Sequence, residues 1–240
     1  MASPAVQLAP GAWRIPTQGR DLVNSFAFVD DDGQVTLVDC GLKKAPVWIV
    51  DGLAAIGKQP GDVTRILLTH AHPDHAGGAA EMASRTGARV GVHTDDVAYL
   101  AAGRTPPVDT STRLGRLLRR RTGGFPPLVA GDGLVNGQVL DVGGGLRVVH
   151  TPGHSPGHVS LLHETSGVLI TGDALFNVLA FRGITWSPRL LCNNFRLSQQ
   201  TAHVLGELDY TVAAFTHGPE IRDGARDAIR SFLSRHPLRS

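Results

Sequence analysis

The chain has 240 residues, with Lys+Arg 23 against Asp+Glu 21 and a formal net charge of +2. Hydrophobic content of 42% with 18% charged residues describes an ordinary globular protein that can bury its own core. This excludes extended disorder and a strongly basic nucleic-acid surface. No apolar run approaches the ~20 residues of a membrane-spanning helix, and residues 1–16 lack a basic stretch followed by an apolar one, so neither a membrane segment nor a signal peptide is expected. Two cysteines, Cys40 and Cys192, make no disulfide framework, which points to a reducing, cytoplasmic location.

The opening third is strand-rich. Apolar runs at 25–30 and 34–39 flank Asp31-Asp32-Gly33, a turn signal that predicts a hairpin. Residues 44–56 carry Val47, Ile49, Val50, Leu53 and Ile56 at helical spacing, with Gly57 as a stop. A buried strand at 65–69, a helix at 76–86 closed by Gly87, and a strand at 88–93 give a strand–helix–strand crossover rhythm. Residues 94–130 are helix-prone but broken by Gly103, Pro106-Pro107, Gly123-Gly124 and Pro126-Pro127, and read as an inserted helical flap. Strands follow at 138–141 and 146–150, then a hairpin pair at 159–163 and 168–171. The tail reads as helix 198–207, strand 210–216 and helix 224–235. With no repeat and no low-complexity linker, residues 1–240 are expected to form one layered α/β sandwich.

Histidine is the unusual residue, with 11 in the chain. Thr69-His70-Ala71-His72-Pro73-Asp74-His75 is an H-x-H-x-D-H pattern. Imidazole nitrogens and a carboxylate oxygen suit zinc, iron and related first-row ions. Leaving a strand two residues apart, His70 and His72 share a face. Pro73 favours a helix start, so Asp74 and His75 project from its first turn. Four donors at one corner are too many for one compact tetrahedron, which implies two metal positions. Further on, His154 lies in the Gly/Pro loop Thr151-Pro152-Gly153-His154-Ser155-Pro156-Gly157-His158, Asp173 in Thr171-Gly172-Asp173, and His217 in Thr216-His217-Gly218-Pro219. Each follows a predicted strand, so all can converge on one sheet edge.

In the order and kind of these motifs, the chain resembles the metallo-β-lactamase-fold superfamily, whose members are αββα sandwiches with metals at one edge of the two sheets. The resemblance implies one ion held by His70, His72 and His154, a second by Asp74, His75 and His217, and Asp173 bridging the two. Asp74 and Asp173 are then the carboxylates of the catalytic centre. It also implies two divalent metal ions as cofactors, zinc first, with iron or manganese as alternatives. Asp39, in Val38-Asp39-Cys40-Gly41, matches an aspartate that stands behind the ligands, where a carboxylate can fix a ring tautomer. His158 is expected as a hydrogen-bonding neighbour and not a ligand. His93, His150, His163, His203 and His236 read as structural or surface residues.

Two metals sharing a water lower its pKa from about 15.7 toward about 7, so hydrolysis needs no Ser–His or Cys–His nucleophile. No G-x-S-x-G elbow or P-loop is present. The expected reaction is hydrolysis of a thioester, lactone or related ester-like bond in a small-molecule substrate. Gly172-Asp173-Ala174-Leu175-Phe176 resembles the G-D-x-L-F of the hydroxyacylglutathione hydrolases. Lactone-cleaving relatives tend to carry tyrosine where Phe176 stands, and family members that cleave β-lactams usually carry Cys or Ser where Asp173 stands. Asp173 thus argues against β-lactam hydrolysis, which is kept as an alternative together with oxidation by a single-iron, persulfide dioxygenase-like enzyme. The substrate cleft is expected between 94–130 and 175–194, with Phe176, Phe181 and Trp186 in its wall. The run Arg113, Arg116, Arg119, Arg120, Arg121 reads as a solvated basic helix.

Overall fold

The computed structural model describes residues 5–110, 123–178 and 183–237. The basic run at 113–121 and Phe181 lie outside them. The first sheet has seven strands in chain order: β1 (Val6–Ala9), β2 (Ala12–Gln18), β3 (Val23–Val29), β4 (Val35–Val38), β5 (Val63–Leu67), β6 (Arg89–His93) and β7 (Asp132–Leu134). Strands β1 to β4 form an antiparallel meander, whereas β4 to β7 pair in parallel through crossovers. The second sheet contains β8 (Val139–Leu140), β9 (Leu146–His150), β10 (Val159–His163), β11 (Val168–Ile170) and β14 (Val212–Ala214), with β14 parallel to β11 at one edge. A two-stranded ribbon, β12 (Leu175–Phe176) and β13 (Thr185–Trp186), follows β11.

Alternation along the strands sorts the apolar residues into three layers. Phe26, Phe28, Val38 and Leu67 of the first sheet meet Val148, Leu161, Val168 and Ile170 of the second in the central layer. Their neighbours Ala27, Leu37 and Ile66 face outward onto Ile49, Leu53 and Met82, which belong to α1 (Pro46–Ala55) and α3 (Ala79–Thr86). Val149, Leu162, Leu169 and Ala213 face the other way, onto Ala202 of α5 (Phe195–Ala202) and Ile229, Phe232 and Leu233 of α6 (Ala225–Ser234). This period-two division places a helical layer on each outer face, an αββα sandwich.

Several expected elements have different bounds. The helix expected at 76–86 is two pieces, α2 (Pro73–Ala76) and α3, interrupted at Gly77-Gly78. A Cβ on Gly77 would sit 2.2 Å from the Pro73 carbonyl oxygen, and one on Gly78 2.4 Å from that of Cys40. The glycine pair lets the chain after β4 lie directly on the start of the helix, fastened by Cys40 N–H donating to the His75 carbonyl at 2.8 Å. Among the described residues of 94–130, α-helix is confined to α4 (Val97–Ala102), which Gly103 ends in the left-handed conformation at φ 60. The strand β7 just beyond was not apparent in the sequence, because Asp132-Gly133-Leu134 has no strand-like alternation. The helix expected at 198–207 begins earlier, at Phe195 behind an Asn194 cap, and tightens into a 3₁₀ turn after Ala202.

Phe26 is fully buried between the sheets. Phe26→Ala is expected to cost about 3–5 kcal/mol, the range for truncating a core aromatic. Urea unfolding should show a lower midpoint at unchanged slope.

Candidate metal centre

The two sheets are stitched together at one edge. Val159 N–H of the second sheet donates to the Thr69 carbonyl at 2.9 Å, and Asn24 N–H of the first donates to Thr216 at 2.9 Å. The loops after β5, β9, β11 and β14 all open at this edge, and they carry His70 to His75, His154, Asp173 and His217. Their donor atoms form overlapping groups: His70, His72 and His154; His70, His75 and Asp173; and Asp74, His75 and His217. Asp173 sits between the outer two. Its Oδ2 lies 3.1 Å from His154 Nε2 and 3.9 Å from His70 Nε2, while its Oδ1 lies 3.3 Å from both His75 Nε2 and His217 Nε2. Asp74 completes the second group at 3.5 Å from His217 Nε2 and 3.7 Å from His75 Nε2.

The far sides of His70, His75, His154 and His217 are engaged, and this helps set which nitrogen faces inward. Asp39 accepts hydrogen bonds from Thr69 N–H at 2.8 Å, Thr69 Oγ1 at 2.8 Å and His75 Nδ1 at 2.9 Å. With its own proton committed to Asp39, the Thr69 hydroxyl accepts from His70 Nδ1 at 3.1 Å. One carboxylate thereby leaves the Nε2 lone pairs of both His70 and His75 pointing into the centre. His217 Nδ1 donates to the Leu22 carbonyl at 2.6 Å, and His154 Nδ1 meets Ser187 Oγ at 2.9 Å. Asp39 reaches its place through a left-handed backbone conformation, φ 59, the one such non-glycine residue among those described. Aspartate tolerates that conformation better than most side chains, and such strain persists where neighbours over-determine it.

The inward atoms test whether a metal fits. His70 Nε2, His75 Nε2 and His217 Nε2 are buried and have no hydrogen-bond partner among the described residues. His72 Nδ1 and His154 Nε2 face each other at 2.8 Å. Orphaned buried acceptors are costly unless something supplies the missing partner, and a divalent cation among these nitrogen and carboxylate donors does so. His158 is arranged differently. Its Nε2 accepts from the Asp173 backbone N–H at 2.7 Å and its Nδ1 meets the Thr151 carbonyl at 3.0 Å, so both nitrogens are used in holding Asp173. Another group, His93, Asp95 and His150, lies outside the centre. Its imidazoles stack at 3.9 Å with planes 15° apart, so their in-plane lone pairs do not converge on a common point.

A cavity of about 460 Å³ opens onto this edge, lined by His72, Asp74, His154 and Asp173 together with Pro73, Thr105, Val108, Gly123, Leu190 and Leu191. Phe176 stacks on the His217 ring at 4.4 Å and is buried behind it. Trp186 is elsewhere: it packs on Phe232 at 4.8 Å and His236 at 5.8 Å, on the helical face of the second sheet, and does not line the cavity. Ser187, Thr216, Asp96 and Leu190-Leu191 were not singled out in the sequence. Thr216 alone had a local signal, as the hydroxyl next to His217, and it donates to Asp173 Oδ1 at 2.8 Å.

Residues 19–233 match the metallo-beta-lactamase superfamily, and the chain belongs to that family. It is similar to the uncharacterized protein YobT of Bacillus subtilis strain 168, at 31% identity over 83% of this chain and 84% of that one. It is also 31% identical to a hydroxyacylglutathione hydrolase of Cereibacter sphaeroides over 73% of this chain, but 57% of the relative. The chain thus spans about half the length of the hydroxyacylglutathione hydrolases it matches, down to 45%. A metallo-beta-lactamase family protein from Thermus thermophilus superposes with a TM-score of 0.69 at 27% identity, covering 96% of this chain and 80% of that structure. Among the described residues, no helix is long and apolar enough to cross a membrane.

The metal-free protein has a defined pH profile. Burial holds His70, His72, His154 and His158 below the ordinary histidine value of 6.5, with His72 and His158 at about 4. Burial also pulls on His75 and His217, but the Asp173 carboxylate, helped by Asp74, outweighs it and raises both. For the lowered group, the unfolded chain takes up protons near 6.5 that the folded chain refuses, so stability is lost as pH falls from 6.5 toward about 4. The raised pair contributes fully below 6.5, and its contribution is lost as pH rises through the folded values. Denaturant midpoints of metal-free protein should therefore peak near pH 6.5 and decline on both sides. A midpoint that rises steadily from neutral to acid pH would contradict this.

Proposed function

We propose that the protein is a metal-dependent hydrolase that cleaves a thioester, lactone or related ester-like bond in a small molecule, using two divalent ions at the His/Asp centre. The observation that carries this reading is the two-sided placement of Asp173, with one oxygen toward His154 and His70 and the other toward His75 and His217. His70, His72 and His154 would hold one ion, and Asp74, His75 and His217 the other, with Asp173 between them. Ions so held lower the pKa of a shared water and polarise a carbonyl. Similarity to the hydroxyacylglutathione hydrolases favours a thioester within this class. Zinc suits the donor set, and iron and manganese are compatible with it. Buried, unpaired Cys40 and Cys192 are consistent with a reducing cytoplasm.

The rest of the work falls to the chain itself. Asp39, directly and through Thr69, holds the protons of His75 and His70 on the outer nitrogens, which leaves their inner nitrogens to act as ligands to a bound cation. Asp74 has a side chain 33% exposed and also lines the cavity, which places a carboxylate at the mouth where it can take the proton released during hydrolysis. Leu190 and Leu191 are 38% and 49% exposed and, with Val108 and Pro73, give the cavity an apolar side suited to an acyl chain. Apolar walls exclude water and strengthen the field acting on the reacting carbonyl.

Two substitutions test the reading. Asp173→Asn keeps the shape but loses the charge that offsets two cations, so it should remain folded, lose at least one metal equivalent and fall in rate by roughly 10²-fold. Elemental analysis and steady-state kinetics on the same sample decide this; full activity with both metals retained would remove the bridging role. Phe176→Tyr, on the buried ring stacked against His217, should keep both metals, and if the added hydroxyl reaches past His217 toward the carbonyl it should raise lactone over thioester turnover. An unchanged ratio on a paired lactone and thioester would count against that placement.

A further inference from the structure

We infer that Asp96 is a positioning residue that locks together the two loops supplying the three-histidine side of the centre. Asp96 ends the 3₁₀ turn after β6 and is completely buried. Its carboxylate contacts neither a candidate ligand atom nor the cavity. Oδ2 accepts from the Ala71 backbone N–H at 2.9 Å and from Ser155 Oγ at 2.6 Å, and Oδ1 accepts from the Gly157 N–H at 2.7 Å. Each donor borders a histidine. Ala71 lies between His70 and His72, Ser155 follows His154, and Gly157 precedes His158, whose Nε2 holds the Asp173 backbone. One side chain thus sets the separation of segments 70–72 and 154–158, which lie about eighty residues apart in the chain and bring His72 Nδ1 and His154 Nε2 to 2.8 Å.

A second observation supports the same arrangement. A Cβ on Gly157 would lie 2.7 Å from Asp96 N and 2.8 Å from its Cβ and Cγ. The loop must therefore offer a glycine at this position for the carboxylate to enter. Three donors converging on one buried carboxylate make charge-assisted bonds, which are stronger than neutral ones and leave little freedom for either loop. Metal ligands held 1 Å too loosely lose affinity, and outer hydrogen-bonding partners commonly contribute 10–100-fold to metal binding. Nothing local marks this role, since Asp95-Asp96 reads as an ordinary acidic pair starting a helix.

The inference rests on the metal-centre reading, and the test separates the two. Zinc affinity would be measured by competition with a chromophoric chelator for wild type, Asp96→Asn, Ser155→Ala and Gly157→Ala, with circular dichroism and denaturant midpoints of the metal-free proteins. In Asp96→Asn an amide N–H₂ must face an N–H or hydroxyl donor, so zinc should bind about 10–100-fold more weakly in a protein that is still folded. Ser155→Ala, losing one bond of three, should show a smaller loss, and Gly157→Ala, which displaces the carboxylate, a loss like that of Asp96→Asn. The visible spectrum of the cobalt-substituted protein should shift in the same variants, which a residue serving folding alone would not cause. Folded Asp96→Asn with wild-type zinc affinity overturns the inference. If that variant does not fold, wild-type affinity in both Ser155→Ala and Gly157→Ala overturns it instead. Wild-type protein that takes up no zinc overturns the metal-centre reading, and this inference with it.

Discussion

Crowding of imidazoles around one buried carboxylate is the constraint on which the rest of the structure depends. His70, His75, His154 and His217 place Nε2 atoms within 4 Å of Asp173, and three of those four nitrogens have no hydrogen-bond partner among the described residues. Acceptors left this way in a dry site cost free energy comparable to lost hydrogen bonds, and two nitrogens facing each other at 2.8 Å must share a proton or repel. The surrounding fold holds them there regardless. Every ring is pinned from behind, by Asp39 through Thr69, by Asp39 directly, by Ser187 and by the Leu22 carbonyl.

That pinning explains features of the fold that otherwise look arbitrary. The left-handed Asp39 ends β4 abruptly and turns its carboxylate toward the start of α2, and the glycine pair at 77–78 lets this turn approach. The backbone bonds between Thr69 and Val159 and between Asn24 and Thr216 join the sheets at the edge where the ligand loops emerge, so loops from both sheets share one rigid frame. Preorganisation of this kind is what a metal site needs, since ligands that must be gathered on binding lose affinity to ordering entropy.

A layered α/β sandwich was legible from the order of strands and crossover helices, the αββα form from the family resemblance carried by the His/Asp motifs, and the hairpin 159–163 with 168–171 stands almost as its two apolar runs indicate. His70 to His75 were legible because four donors sit in six residues, and His154, Asp173 and His217 because each follows a strand. What the sequence concealed depends on tertiary approach. Strand β7 exists because β6 offers an open parallel edge, not because Asp132-Gly133-Leu134 favours extension. Ser187, from the ribbon end, reaches His154 across 33 positions, and nothing local marks it. Trp186, next to it, has the composition of a pocket residue, yet strand alternation sends it to the opposite face, against Phe232. Aromatic residues near a site are poor guides when one residue of register reverses their direction.

The same frame fixes the side from which a substrate can come. His70, His75, His154 and Asp173 are buried to within 2% of full enclosure. Asp74 alone among the seven has a side chain one-third exposed. It lines the cavity together with His72, His154 and Asp173, and Leu190, Leu191 and Val108 supply apolar lining. A molecule entering there would meet both polar and apolar side chains. A carbonyl can then turn toward the centre while an acyl group lies along the leucines. A strongly charged group would have to desolvate to lie against Leu190 and Leu191, at a cost in free energy. On the proposed hydrolase reading, such a wall would favour compact, apolar acyl groups at the reacting end, with any charged portion of the substrate extending out past Asp74 into water.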